Sequence, residues 1–253
     1  MKKETYDNGS QRRTITMTLG ITVLVFLMLV SSSGCVSFLG ISNSGSNNGS
    51  ILNKSDEALK AHDKAIEINP HDWSAWYGKG NSLKELGNYD EALKAYDKAI
   101  EINPQNTDAW NNKGDVLTKL NKSDEALKAF GKAIEINPQN TDVWNNKGVA
   151  LGNLNKYEDA MVAFDKAIEI NPQNTDAWNN KGDALSKQNK YDEALKAFDK
   201  AIEINPQNTD AWNNKGDALS KQNKYDEAKK AYDKAIEIDS QNSKLGAEDN
   251  NGE

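Results

Sequence analysis

Cysteine occurs once in the chain, at position 35, so no disulfide can form within it and stability has to come from packing. Histidine occurs twice, as His62 and His71, with no acidic pocket evident around either, which leaves little material for a metal site or a general base. Positive charge is not in excess: 31 Lys and Arg stand against 38 Asp and Glu, a formal charge of −7, and the lysines are interleaved with acids. Sequence-independent affinity for nucleic acid comes from clustered cations, so no nucleic-acid partner is expected. The chain also lacks a nucleophile paired with a base and a phosphate-binding loop; neither an enzyme nor a cofactor is expected.

What the chain does contain is repetition. The phrase PQNTDAWNNKG begins at Pro104 and returns almost unchanged at Pro138, Pro172 and Pro206. It is made of amides, one acid, one Trp and one Lys, none of them a nucleophile. Trp76, Trp110, Trp144, Trp178 and Trp212 follow one another at intervals of 34 residues. A fixed period of this size marks stacked structural repeats, so the chain is one quasi-linear array.

The first fifty residues differ in kind. Lys2, Lys3, Arg12 and Arg13 precede an uncharged run from Thr14 to Val30, and no charge returns until Lys54. Basic residues before an apolar run keep the N-terminus in the cytoplasm and send the downstream chain outward, so residues 1–13 form a cytoplasmic basic region and the repeats are expected on the extracytoplasmic side. The run is at the short end of the roughly 17–25 residues that span a bilayer. It leads into SSSGC, which resembles a prokaryotic lipoprotein signal, whose cleavage would fall between Gly34 and Cys35 and whose lipid would be carried by Cys35. Ser32 stands where that signal usually has an aliphatic residue, so residues 14–34 are either a cleaved lipoprotein signal or an uncleaved membrane anchor. Residues 35–52, rich in Ser, Asn and Gly, read as a flexible linker, and residues 243–253 as a disordered acidic tail.

Within each unit two helices fit. The first starts at Asn106 or Thr107, either able to cap, with Asp108 in the positive first turn, and stops near Leu120. Gly87, Asn121, Asn155, Asn189 and Asn223 follow that stop, the residue types that tolerate a left-handed backbone. A second helix runs through DEALKAFGKAIEI and ends before Asn137-Pro138. Helical periodicity puts Trp110, Lys113, Gly114 and Leu117 on an inward face and Asp108, Asn111, Asn112, Asp115 and Lys119 on the opposite one. Gly114 and its counterparts cost about 1 kcal/mol each in mid-helix relative to Ala, so close packing against the small Ala126 is the expected compensation, and the tryptophans are expected in the core.

Trp-x2-Lys-Gly-x2-Leu, then Ala-x3-Phe or Tyr, then Pro, at this period, resembles the tetratricopeptide repeat, with Lys79, Lys113, Lys147, Lys181 and Lys215 standing where that family usually has Leu. The departure is tolerable if the aliphatic lysine stems lie across the hairpin. The resemblance implies an all-α protein, an α-solenoid of helix-turn-helix repeats forming a right-handed superhelix. Five full units cover 73–106, 107–140, 141–174, 175–208 and 209–242, preceded at 53–72 by a half repeat with the second helix only, in which His62 takes the aromatic position. Lys229, where Leu93, Leu127 and Leu195 stand in earlier units, and Ser240 in place of the usual Pro mark a polar end to the array.

Members of this family bind proteins or peptides on the concave surface lined by the first helices. The equivalent candidates here are Tyr77, Asn81, Asn111, Asn112, Asp115, Asn145, Asn146, Val149, Asn179, Asn180, Asp183, Asn213, Asn214 and Asp217. Paired amides on every step offer donors and acceptors suited to an extended peptide backbone; some family members use asparagines matching Asn112, Asn146, Asn180 and Asn214 in this way. The basic carboxylate clamp of co-chaperone members is absent, and the acids favour a neutral or basic ligand. The expected protein is therefore a membrane-tethered, extracytoplasmic adaptor. The competing expectation is a structural spacer or self-associating surface protein whose asparagines reflect only the copying of near-identical units.

Overall fold

The structure, a computed structural model, describes residues 45–248. These contain eleven helices and no strand. Helix α1 (Gly45–Ile68) stands alone, and five hairpins follow: α2 (Trp73–Glu85) with α3 (Tyr89–Ile102), α4 (Thr107–Lys119) with α5 (Ser123–Ile136), α6 (Thr141–Asn153) with α7 (Tyr157–Ile170), α8 (Thr175–Lys187) with α9 (Tyr191–Ile204), and α10 (Thr209–Lys221) with α11 (Tyr225–Glu248). The array is an α-solenoid. The basic N-terminal region, the apolar segment 14–34, Cys35 and residues 249–253 lie outside the described residues, among which no helix is long and apolar enough to cross a membrane.

Local chemistry sets each hairpin. Asn106 caps α4, its side-chain oxygen accepting from the Ala109 backbone N–H at 2.9 Å, and Asn140, Asn174 and Asn208 do the same in later units. In the first unit Asp72 takes over, accepting from the Ser74 N–H at 2.9 Å and the Ser74 hydroxyl at 2.6 Å. Past the first helices the chain enters the left-handed region, at φ 77° for Gly87 and between 58° and 61° for Asn121, Asn155, Asn189 and Asn223. The turn is closed by the Lys122 N–H donating to the Leu117 carbonyl at 2.8 Å, which satisfies one of the carbonyls orphaned at the helix end.

Packing joins units as much as it joins helices within a unit. Ala126, Ala129, Phe130 and Ala133 of α5 are buried together with Leu117 of α4 and with Val143 and Ala150 of α6 in the next unit. The mid-helix glycines meet an aromatic ring rather than Ala126: a methyl added to Gly114 would stand 2.5 Å from Cε1 of Phe130, and Gly80, Gly148, Gly182 and Gly216 face Tyr96, Phe164, Phe198 and Tyr232 in the same way. Ala126 sits one turn earlier on the same helix face, so the expected small partner is displaced by the larger ring beside it.

The tryptophans correct a second expectation. They are half-buried, with each indole N–H donating to the carbonyl of the proline six residues earlier, as Trp110 does to Pro104 at 3.0 Å. Over each indole lies the ammonium group of the lysine three residues on, between 5.1 and 5.6 Å from the ring centre. Four of these lysines also reach an aspartate on the second helix of the preceding unit: Lys79 to Asp63, Lys113 to Asp97, Lys181 to Asp165 and Lys215 to Asp199, at 2.5 to 2.7 Å. The lysine that departs from the family pattern is therefore a tie between units as well as a cover for the Trp.

At the ends the array is incomplete. Ala61 of α1 is exposed although its counterpart Ala95 is buried, and His62 packs against Gly78 of α2. Lys229 is exposed where Leu93, Leu127 and Leu195 are half-buried, with Met161 in that place in the third unit. Helix α1 begins at Gly45, inside the stretch expected to be a flexible linker, and α11 continues to Glu248, into the expected tail. A helix once nucleated extends at small cost. With Ser240 in place of proline nothing stops the backbone ladder, and the Ser240 and Ser243 hydroxyls donate to the Ile236 and Asp239 carbonyls at 2.8 Å.

Candidate peptide-binding groove

The first helices place their polar faces side by side, and their asparagines bond across the unit boundaries. Asn146 donates its amide to the side-chain oxygen of Asn111 at 3.1 Å, Asn180 to Asn145 at 3.0 Å and Asn214 to Asn179 at 3.0 Å. Each rung thus uses the donor of one amide and the acceptor of the other. The side-chain oxygens of Asn146, Asn180 and Asn214 and the amide N–H groups of Asn111, Asn145 and Asn179 make no hydrogen bond to another side chain among the described residues. Asn213 begins no further rung.

The first two units depart from this pattern. In α2 Tyr77 occupies the acceptor position of the ladder and Gly78 the donor position, and Asn112 donates to the Tyr77 hydroxyl at 3.1 Å and to the Asn81 oxygen at 2.9 Å. Asn81 also accepts from the Tyr96 hydroxyl at 2.8 Å, and the Tyr77 and Tyr96 rings lie 6.1 Å apart. Lys84 donates to Asn112 at 3.4 Å and to Asp115 at 3.3 Å, and Lys119 stands 4.0 Å from the same carboxylate. Burial pushes the Tyr96 phenol well above its ordinary pKa, with Tyr77, Asp115 and Glu85 adding to the rise. At this junction the groove floor is closed by its own side chains.

Further along, the floor opens. Between the third and fourth units a hollow of about 160 Å³ is bordered by Val149, Gly152, Phe164, Asn180, Asp183 and Ala184. Between the fourth and fifth a larger one, about 410 Å³, lies among Asp183, Ser186, Asn214, Asp217, Ala218 and Lys221. Asp183 is held only loosely by Lys187, at 3.9 Å, and Asp217 accepts from the Tyr232 hydroxyl at 2.6 Å. Burial and the neighbouring Asp217 both raise the Tyr232 phenol, burial more.

The candidate residues therefore fall into groups. Tyr77, Asn81 and Asn112 bind one another, with Asp115 joined to Asn112 through Lys84, whereas Val149, Asn180, Asp183, Asn214 and Asp217 border the two hollows; Asn111, Asn145, Asn146 and Asn179 take part in the rungs, and Asn213 lines neither hollow and makes no rung. Sequence reasoning missed Lys84 and Tyr96, which close the first junction, and Gly152, Ser186 and Ala184, which open the later ones. The visible signal was positional: at the place of Lys84, Thr118, Ser186 and Ser220 the third unit carries Gly152. Among the described residues no group of three or more His, Cys, Asp or Glu is placed to hold a metal ion.

The segments 73–106, 107–140, 141–174, 175–208 and 209–242 each match the family model of the tetratricopeptide repeat. The chain belongs to the tetratricopeptide repeat family. Among solved structures it is similar to YrrB, described as a TPR protein with an unusual peptide-binding site, at 30% identity over 72% of this chain and 93% of that one, TM-score 0.55. It shares its fold with MamA (24% identity, 65% of this chain and 96% of that one, TM-score 0.57) and with pilF of Pseudomonas aeruginosa (24%, 73% and 78%, TM-score 0.58). No match was found among the curated proteins. The matched family is not a catalytic one; its repeats are built for binding proteins or peptides.

Proposed function

We propose that this chain is a membrane-tethered, extracytoplasmic adaptor that holds an extended neutral or basic polypeptide segment in its asparagine-lined groove. The observation that carries the proposal is the amide ladder. Each inter-unit bond fixes the orientation of two amides, so the remaining acceptor of Asn146, Asn180 and Asn214 and the remaining donor of Asn111, Asn145 and Asn179 form a preorganised double row. A peptide backbone carries one donor and one acceptor per residue and matches such a row without regard to its own side chains. The tether rests on the basic N-terminus, the apolar run from Thr14 and the lipoprotein-like SSSGC ending at Cys35.

Crosslinking in native membranes tests the groove: the variant carrying Asn112→Ala, Asn146→Ala and Asn180→Ala should retain its helical circular dichroism and lose captured partner, and undiminished capture would remove the groove from the account. Replacing Cys35 by Ala tests the anchor, since a lipoprotein is then released or mislocalised and a signal anchor stays embedded. A self-associating spacer is supported by one feature, the apolar side chains exposed near the array ends, Ile68 at 86% and Ile236 at 62%. Concentration-dependent self-association in sedimentation, unaffected by the asparagine variant, would favour that reading.

A further inference from the structure

The two hollows in the groove floor differ in chemistry and lie one repeat apart. We infer that, within the groove-binding reading just proposed, units three to five select a segment in polyproline II conformation that carries an aliphatic side chain and a basic side chain three residues apart.

The first hollow is made by two substitutions confined to the third unit. Val149 stands where the second, fourth and fifth units have Asp115, Asp183 and Asp217, and Gly152 stands where the others have Lys84, Thr118, Ser186 and Ser220. Together they remove a charge and a side chain from one rung of an otherwise polar face. A methyl group added to Gly152 would meet nothing within 4 Å, so the space is open. Its borders include Val149, Phe164 and Ala184 besides Asn180, Asp183 and Lys187, and its size, about 160 Å³, suits one aliphatic side chain.

The second hollow lies between two carboxylates, Asp183 and Asp217, and has the Ser186 hydroxyl in its wall, a buried polar atom with no hydrogen-bond partner. Asp217 makes no ion pair among the described residues, and Lys187, the lysine paired with Asp183, is 3.9 Å away on an exposed side chain. Asp176 and Asp210, exposed in the first turns of α8 and α10, add two further acids without ion pairs among the described residues; with Lys181 and Lys215 paired to Asp165 and Asp199, these helices leave four acids against Lys187 and Lys221. The local field favours a cation.

Spacing ties the two together. Successive first helices are close enough for their asparagine side chains to bond at 3.0 Å, and packed helix axes run about 8–10 Å apart. A β-strand puts residues i and i+3 on opposite faces, whereas a polyproline II helix, with three residues per turn and about 3.1 Å rise, puts them on one face about 9 Å apart. That conformation also leaves its backbone groups unpaired and available to the amide rows. Tyr77 and the first junction take no part, because their polar groups are engaged with one another.

The test uses the full-length chain in detergent and four fluorescent nine-residue probes on a proline-rich scaffold: Leu-x-x-Arg, Arg-x-x-Leu, and the same pairs with a single intervening residue. One of the two three-residue spacings should bind at least about tenfold more tightly than its shorter-spaced counterpart. Changing its Arg to Glu should abolish the advantage, and added salt should weaken it. Val149→Asp should remove the preference for Leu over Ala, and Asp217→Asn the preference for Arg over Gln. Both variants place residues that the repeat already carries at that position elsewhere, Asp115 and Asn81, so folding is preserved. Equal affinity for all four probes, no binding by any of them, or preferences unmoved by either variant overturns the two-hollow pattern. Partner capture by the triple asparagine variant reads the groove itself independently.

Discussion

Lys147 lies 5.1 Å over the indole of Trp144, as its four counterparts lie over theirs, but the second helix of the preceding unit offers it Gly131 where the others find an aspartate. The junction between the second and third units is thus the one at which this tie lacks its acidic half. Gly131 is also a mid-helix glycine facing open space. Replacing it by Ala should stabilise the array by about 1 kcal/mol through helix propensity. Replacing it by Asp should add the ion pair, worth about 0–1 kcal/mol at this exposed site. Urea melts of both variants check it: the increment of Gly131→Asp over Gly131→Ala, corrected for propensity, should vanish in the Lys147→Met background, and an increment that persists there cannot come from the pair.

The glycines inside the hairpins should behave oppositely. A methyl on Gly182 would stand 2.5 Å from Cε1 of Phe198, whose ring is fully buried, so Gly182→Ala should destabilise by about 1–3 kcal/mol despite its better helix propensity. Phe198→Leu alone should also destabilise, yet combined with Gly182→Ala it should recover part of the loss. Additive losses in thermal unfolding of the double variant would mean that ring and glycine do not compete for the same space.

These contrasts show what the chain makes legible and what it hides. The 34-residue period, the asparagine caps and the left-handed turns are local, each set by a residue and its immediate neighbours, and they appear at Asn106 and Asn121 where the spacing predicts them. The partner of Gly114 was misassigned because Ala126 and Phe130 share a helix face and periodicity cannot say which of them stands opposite. The ties Lys113–Asp97 and Asn146–Asn111 span 16 and 35 residues, so no pattern within one unit reveals them. The start of α1 was missed for another reason: Ser, Asn and Gly are poor helix formers individually, but here they extend a helix nucleated further along. In the groove the residue types were legible and their pairing was not: no pattern within a unit shows that the Tyr77 hydroxyl accepts from Asn112.

The asparagine rungs should be energetically coupled. Asn180 donates to Asn145 across a unit boundary, both half-buried, so a double-mutant cycle of Asn145→Ala and Asn180→Ala should give a coupling of about 0.5–1.5 kcal/mol in urea unfolding. The same cycle on Asn145 and Asn214, which share no bond, should give a coupling near zero. Equal couplings in the two cycles would show that the rungs are not the origin of the effect.

Tyr96 should make the array sensitive to alkali. Its ring is fully buried and its hydroxyl donates to Asn81, so ionisation in the folded state is opposed first by burial and then by Tyr77, Asp115 and Glu85. A phenol whose folded pKa lies above its ordinary value of 10.0 contributes stability that is fully present below pH 10 and lost as the pH rises from there towards the folded pKa. In that window one such proton lowers the unfolding free energy by up to about 1.4 kcal/mol per pH unit. Tyr96→Phe, the residue found as Phe130, Phe164 and Phe198 in the next three units, should cost about 0.5–1.5 kcal/mol at pH 8 for the lost hydrogen bond and then flatten the decline above pH 10. Part of the decline remains through Tyr232, raised by burial and by its hydrogen bond to Asp217 at a less buried site. Unfolding free energies from pH 8 to 11 for both proteins decide the matter, because lysine deprotonation affects them alike, and parallel curves would show that the Tyr96 phenol is not the group being titrated.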